Sequence, residues 1–179
     1  MKKLLFFFPE KCTGCRVCES MCSLTHTGEI NPARSRIRVF KSEKDGTDLP
    51  MTCLQCEDAL CAKACPVGAI KLDPITGAQV TDTTLCFNCR MCVIACPFGG
   101  TLVDIDNRIM RCDLCGGDPQ CVKFCETKAI EFLTPDEIVL ARLKQTAMGP
   151  LYATGGLVAR VTGSPGDGGT QLLQIDGCR

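Results

Sequence analysis

Cys86-Phe87-Asn88-Cys89-Arg90-Met91-Cys92-Val93-Ile94-Ala95-Cys96-Pro97 is the stretch from which the rest of this 179-residue chain is read. Its C-x2-C-x2-C-x3-C-P spacing is that of iron–sulfur ligands, in which three crowded thiolates hold one cubane and the fourth reaches a different one. Cys12, Cys15, Cys18 and Cys22 repeat that cysteine spacing. Two stretched versions follow the same scheme: Cys53, Cys56, Cys61 and Cys65, and Cys112, Cys115, Cys121 and Cys125. Sixteen of the 17 cysteines thus fall into four quartets, which predicts four 4Fe-4S clusters. No quartet lacks a ligand, so no three-iron cluster is expected.

Composition agrees with an interior built around inorganic groups. The chain has no Trp and one Tyr, and aromatic residues make up 5% of it. A conventional aromatic and aliphatic core is out of reach, and the metal-free chain is expected to be largely unfolded. Formal charge is zero, from 20 basic and 20 acidic residues. Four oxidised cubanes with their thiolates would add about −8, which argues against nucleic acid as a partner. A disulfide framework would need an oxidising compartment and normally an export signal. Met1-Lys2-Lys3 followed by Leu4 to Phe8 imitates such a signal, but Pro9 ends the apolar run, which is read as a buried strand. With no apolar stretch long enough to span a bilayer, a cytoplasmic protein is expected.

Short apolar segments follow three quartets: Ala69–Leu72, Thr101–Val103 and Ala129–Leu133. Strands are also expected at Leu4–Phe8, Arg36–Phe40 and Gln79–Thr81. The fold class is therefore α+β: loop-rich, with small strands and helical turns wrapped around the clusters. Pro66 and Pro97 close quartets two and three, whereas Ser23 and Glu126 stand in those places in quartets one and four. Thr134-Pro135-Asp136-Glu137 reads as a capped helix start, and Gly149-Pro150 as its stop. Val139, Leu140, Leu143 and Ala147 give that helix an apolar face, expected to pack on the protein's own core rather than on a partner. From 150 to 179 the chain is a Gly-rich tail, flexible by composition alone but expected to be held down by its own globule or by another subunit.

Taken together, the four quartets resemble those of the four-cluster ferredoxin-like electron-transfer subunits of molybdenum and tungsten oxidoreductases, formate dehydrogenases, hydrogenases and carbon monoxide dehydrogenases. Within that group the chain looks most like the small iron–sulfur subunit of bacterial tungsten aldehyde oxidoreductases. A carbon monoxide dehydrogenase- or hydrogenase-linked ferredoxin is the alternative. The resemblance covers residues 1–133, with a helix over 134–149 and the tail over 150–179. It implies nested bacterial-ferredoxin-like repeats in which outer quartets pair with each other and inner quartets likewise. Cys12, Cys15, Cys18 and Cys125 would hold cluster 1, and Cys112, Cys115, Cys121 and Cys22 cluster 2. Cys53, Cys56, Cys61 and Cys96 would hold cluster 3, and Cys86, Cys89, Cys92 and Cys65 cluster 4. It further implies a chain that is not catalytic alone. Electrons would pass one at a time between a tungsten or molybdenum catalytic subunit and a flavin or NAD-reducing subunit or soluble carrier.

Other residues bear on this reading. Lys11, Arg16, Arg90, Arg111 and Lys123 flank ligands, where a cation favours the reduced cluster, but most are expected to be solvated. Val17, Met21, Phe87, Ile94 and Phe98 are expected to shield clusters from water. His26 is read as a surface or loop residue in preference to a hydrogen-bond donor at a cluster. Cys178 is read as a bystander. A zinc-binding interaction module is the rival class, disfavoured because three cysteines in seven residues leave no simple tetrahedral partition. Self-association into larger arrays through the helix and tail would add to electron transfer without replacing it.

Overall fold

Every sheet among the described residues is a two-stranded antiparallel ribbon, as expected of a chain whose apolar runs are three to five residues long. A computed structural model describes residues 2–44 and 46–153, the last seven as backbone alone. The chain divides into two units, Met1–Ile138 and Val139–Arg179. In the first, β1 (Leu4–Phe7) pairs with β8 (Ile130–Leu133), with Leu4 opposite Leu133. The other ribbons are hairpins: β2 (Arg38–Ser42) with β3 (Thr47–Met51), β4 (Ile70–Leu72) with β5 (Gln79–Thr81), and β6 (Thr101–Val103) with β7 (Ile109–Arg111). Between them lie α1 (Val17–Thr27), α2 (Leu60–Lys63), α3 (Met91–Ile94) and α4 (Gln120–Lys123). The class is α+β.

The helices repeat one device. Cys18, Cys61, Cys92 and Cys121, the third cysteine of each quartet, occupy the second residue of α1, α2, α3 and α4, and each is buried. After α2 and α3 the fourth cysteine begins a turn that bends through Gly68 and Gly99, at φ 59° and 64°, and then enters a strand. These two positions need a left-handed backbone, which glycine adopts without a Cβ penalty. After α4 the same place is taken by Lys128 at φ 54°, a conformation that costs a residue with a side chain roughly 1–2 kcal/mol. Quartet four thus makes this turn without proline or glycine. In quartet one, Cys22 lies inside α1 and no such turn exists.

Cysteine is woven through the core. Cys18, Cys22 and Cys121 pack with Ile37, Val39 and Ile130. Cys61 and Cys92 pack with Ala59 and Ile70, and Cys112 with Ala78 and Leu114. Polar ties hold these groups in register. Gln55, 3% exposed, donates from Nε2 to the Cys112 carbonyl at 2.7 Å, and its Oε1 accepts from the Gln79 amide at 2.7 Å. Buried Glu19 accepts from the Val39 amide at 2.7 Å.

Two expectations are corrected. β2 begins at Arg38 because Ser35–Ile37 form a local turn, in which the Ser35 hydroxyl donates to the Ile37 carbonyl at 2.8 Å and the Arg36 amide donates to Cys22 Sγ. The helix expected to stop at Gly149-Pro150 is α5 (Pro135–Ala153), which continues past them. Proline's φ is itself helical and its cost is one amide hydrogen bond, so it weakens a helix without forbidding it. Val139, Leu140 and Leu143, expected to face the protein's own core, belong to the second unit, and the side chain of Ala147 lies outside the described residues. The start is as expected: the Glu137 carboxylate accepts from the Thr134 amide at 2.8 Å and hydroxyl at 2.9 Å. Residues 154–179, with Cys178 and most of the Gly-rich tail, lie outside the described residues.

Candidate metal centres

Three cavities are lined by cysteines from distant parts of the sequence. Cys12, Cys15, Cys18 and Cys125 line one, with Val17, Val39 and Ile130. Cys22, Cys112, Cys115 and Cys121 line a second, with His26, Arg36 and Leu114. Cys65, Cys86, Cys89 and Cys92 line a third, with Phe87 and Ile109. For the remaining four, Cys56 and Cys61 both act electrostatically on Cys53. The turn bearing Cys96 meets Cys53 at Gly100, where an added Cβ would fall 2.7 Å from Cys53 Cα. The Gly100 amide in turn donates to Cys96 Sγ at 3.3 Å.

The local backbone explains how short loops present so much sulfur. The residue before the second cysteine is left-handed in every quartet: Gly14, Gln55, Asn88 and Leu114, at φ 65°, 53°, 59° and 57°. Such a reversal turns consecutive amides toward one point and makes an anion-binding concavity. Amides accordingly reach sulfur: Leu114 to Cys112 at 3.4 Å, Ala69 to Cys65 at 3.3 Å and Arg36 to Cys22 at 3.3 Å.

Thiol chemistry fits a cationic guest. Burial, helped by the Glu19 charge, pushes Cys18 up to about 12. Burial does the same to Cys112, also up to about 12, and drives Cys121 higher still. Left alone these groups would stay protonated, whereas a bound metal deprotonates them. At Cys96 burial is outweighed by the amides of Phe98, Gly100, Thr101 and Gly99, and the thiol is held below its ordinary value. Cys65 is lowered in the same way by the amides of the turn that follows it. The sixteen described cysteines are all free thiols, so no disulfide competes for them. Soft, convergent sulfur with amide support suits iron–sulfur clusters.

Several flanking residues differ from expectation. His26 is not a surface residue: its side chain is 13% exposed, with Nε2 3.3 Å from Asp113 Oδ1 and 3.9 Å from Cys115 Sγ. Hydrogen bonds to Asp113, Cys115 and Cys22 raise it to about 11. Asp113 also pairs with Arg36 at 2.5 Å and is held well below the usual carboxylate range, His26 and Arg36 prevailing over burial. These contacts join residues up to 89 positions apart, which local spacing does not register. Among the five cations, Lys11, Arg16, Arg90 and Lys123 are exposed as expected. Arg111 is not: it is 3% exposed, and its Nη1 lies 3.3 Å from Cys61 Sγ. Of the expected shields, only Met21 is half-buried; Val17 and Phe87 line cavities but are themselves 39 and 61% exposed. Ile94 and Phe98 are likewise 79 and 50% exposed. Ile94 stands two helical positions from buried Cys92, and Phe98 turns its amide rather than its ring to Cys96. Gln55 was missed altogether; its one sequence cue is a polar residue inside a ligand loop.

Convergent thiols on an α+β frame of small ribbons define an iron–sulfur protein. Residues 40–134 match the family described as a 4Fe-4S dicluster domain, and residues 9–27 match a 4Fe-4S binding domain. The chain belongs to the 4Fe-4S dicluster family. It is 48% identical over 120 residues to the polyferredoxin-like subunit of an aliphatic sulfonate oxidoreductase of Pyrococcus furiosus, covering 65% of this chain and 68% of that one. It is 34% identical to formate hydrogenlyase subunit 2 of Escherichia coli, covering 71% and 79%. It is 36% identical to the beta subunit of the NADH-dependent phenylglyoxylate dehydrogenase of Aromatoleum evansii, covering 74% of this chain and 30% of that one. Its role is that of an iron–sulfur electron-transfer subunit of an oxidoreductase complex, not an enzyme on its own. No helix among the described residues is long and apolar enough to cross a membrane.

Proposed function

We propose that the sixteen cysteines hold four 4Fe-4S clusters in the nested pairing: Cys12, Cys15, Cys18 with Cys125; Cys112, Cys115, Cys121 with Cys22; Cys53, Cys56, Cys61 with Cys96; and Cys86, Cys89, Cys92 with Cys65. The observation that carries this is the composition of the three cavities, each lined by three cysteines of one quartet and one of another. The clusters supply one-electron chemistry when bound. The chain's own part is to hold sulfur at fixed positions, aim amides at it and exclude water, which tunes the potential. Cys15 and Cys89 are the exposed members of the set. They mark the surfaces at which charge passes to and from partners. Oxygen-free preparation should yield about sixteen irons and as much sulfide per chain. Substantially less iron, or sulfurs bridged to one another, would defeat the reading.

The partner we favour is a tungsten or molybdenum catalytic subunit, with a flavin or NAD-reducing subunit or soluble carrier at the other end. The 48% identity to a sulfonate oxidoreductase subunit, against 34% to a hydrogenlyase subunit, puts a hydrogenase-linked role second. The likeness to a subunit of an NADH-dependent dehydrogenase supports the acceptor side. Anaerobic isolation of the native complex, with subunit identification and assays for tungsten, molybdenum, nickel and flavin, tests the choice. Nickel without tungsten or molybdenum would reverse it.

A further inference from the structure

Arg111, the last residue of β7, is a buried cation that no carboxylate among the described residues pairs with. Its residue exposure is 3%, Nη1 donates to Cys61 Sγ at 3.3 Å and Nη2 to Thr101 Oγ1 at 3.1 Å. Nε has no partner. The contrast with other arginines is direct. Arg36 pairs with Asp113, and Arg34 with Glu29 and Asp106. Among the described residues no such pair is found for Arg111. A guanidinium stays charged, and burying one without a counter-charge is strongly unfavourable. Something anionic must therefore stand beside it.

The nearest sulfurs say what that is. Cys61 is in hydrogen-bond contact, Cys92 packs with Cys61 in one buried cluster, and the Arg111 charge favours the thiolates of Cys53 and Cys92. In the ligand sets proposed above, Cys53 and Cys61 belong to one inner centre and Cys92 to the other. We propose that Arg111 is a shared tuning residue, its buried positive charge lying beside both inner centres and raising their reduction potentials. The inference rests on the nested ligand reading. Its physical basis is that reduction adds negative charge at fixed distance from an unscreened cation. Each uptake takes one electron from a low-potential one-electron donor, with no bond made or broken and no proton moved. The charge is fixed, so its effects on the two centres add independently.

The test is a dithionite titration of the iron-loaded chain, followed by electron paramagnetic resonance, for the unmutated protein, Arg111→Met and Arg111→Lys. Arg111→Met with about sixteen irons retained should lower two of the four couples by at least tenfold in their reduced-to-oxidised ratio, about 59 mV each. Arg111→Lys should stay nearer the unmutated protein. Four unmoved couples in fully loaded Arg111→Met would overturn the inference. Loss of iron from Arg111→Met but not Arg111→Lys supports it, since charge is then what the site requires. If both variants lose iron, pulsed resonance on the reduced unmutated protein labelled only at the guanidinium nitrogens of arginine decides: a nitrogen coupling on two of the four signals supports the assignment, and no coupling overturns it. A failure of the ligand reading shows separately, as an iron deficit in the unmutated protein.

Discussion

Gly100→Ala is the most informative small change in this chain. Gly100 is buried where the turn after Cys96 crosses quartet two, and a Cβ there would lie 2.7 Å from Cys53 Cα, 3.2 Å from its nitrogen and 3.3 Å from the Thr52 carbonyl oxygen. Ordinary carbon contacts are about 3.5–4.0 Å, so the two segments must part by roughly 0.8 Å or more. The obstacle is backbone on both sides, and no side-chain rotation relieves it. Overpacking of this kind costs about 1–3 kcal/mol. Metal ligands tolerate displacements of about 0.2 Å, so the larger consequence is at the sulfur of Cys53. Iron should fall from about sixteen to about twelve per chain, one cluster being lost. Gly99→Ala is the control: its backbone is left-handed at φ +64°, yet no atom lies within 4 Å of the added methyl. It should cost roughly 1–2 kcal/mol of stability and no iron. Colorimetric iron and sulfide counts on anaerobic samples separate the two. Gly100→Ala with a full complement would refute the close approach of the Cys96 turn to quartet two.

Other outcomes follow from the same contacts. Gln55→Leu removes both bonds that tie Cys112 and Gln79 to quartet two. It should cost about 2–5 kcal/mol, seen as faster bleaching of visible absorption in guanidinium. His26→Ala leaves Asp113 paired with Arg36, so iron should be retained while the bleaching midpoint drops by about 1–3 kcal/mol. An unchanged midpoint would mean that the His26 contacts carry no stability. Thr134→Ala removes the hydroxyl half of the cap at the start of α5 and should destabilise that helix by about 1 kcal/mol. Amide exchange at Ile138, whose N–H bonds the Thr134 carbonyl, should rise accordingly.

What could be read in the sequence, and what could not, divides by range. Three strands after quartets and the start of α5 follow from local apolar runs and a capping box, and the structure has them. β3 and β7 were missed. β3 carries Asp48 and Pro50, poor strand residues, and is held by its register with β2. β7 is three residues long and ends in an arginine. Burial of His26 and Arg111 depends on Asp113 and Cys61, 87 and 50 positions away, and no local pattern marks such pairs. The stop at Gly149-Pro150 failed for the opposite reason, because local propensity is a weak prior that the rest of a helix can override.

The pairing of β1 with β8 sets an order of events during synthesis. Leu4 finds Leu133, and Phe7 finds Ile130, only when nearly the whole first unit has left the ribosome. At about 5–20 residues per second the N-terminal strand waits roughly 6–26 s for its mate. The hairpins β2–β3, β4–β5 and β6–β7 have no such delay, since their strands are near neighbours. The first unit therefore matures from its middle outward, and the thiols of quartet one stay open to oxidants longest.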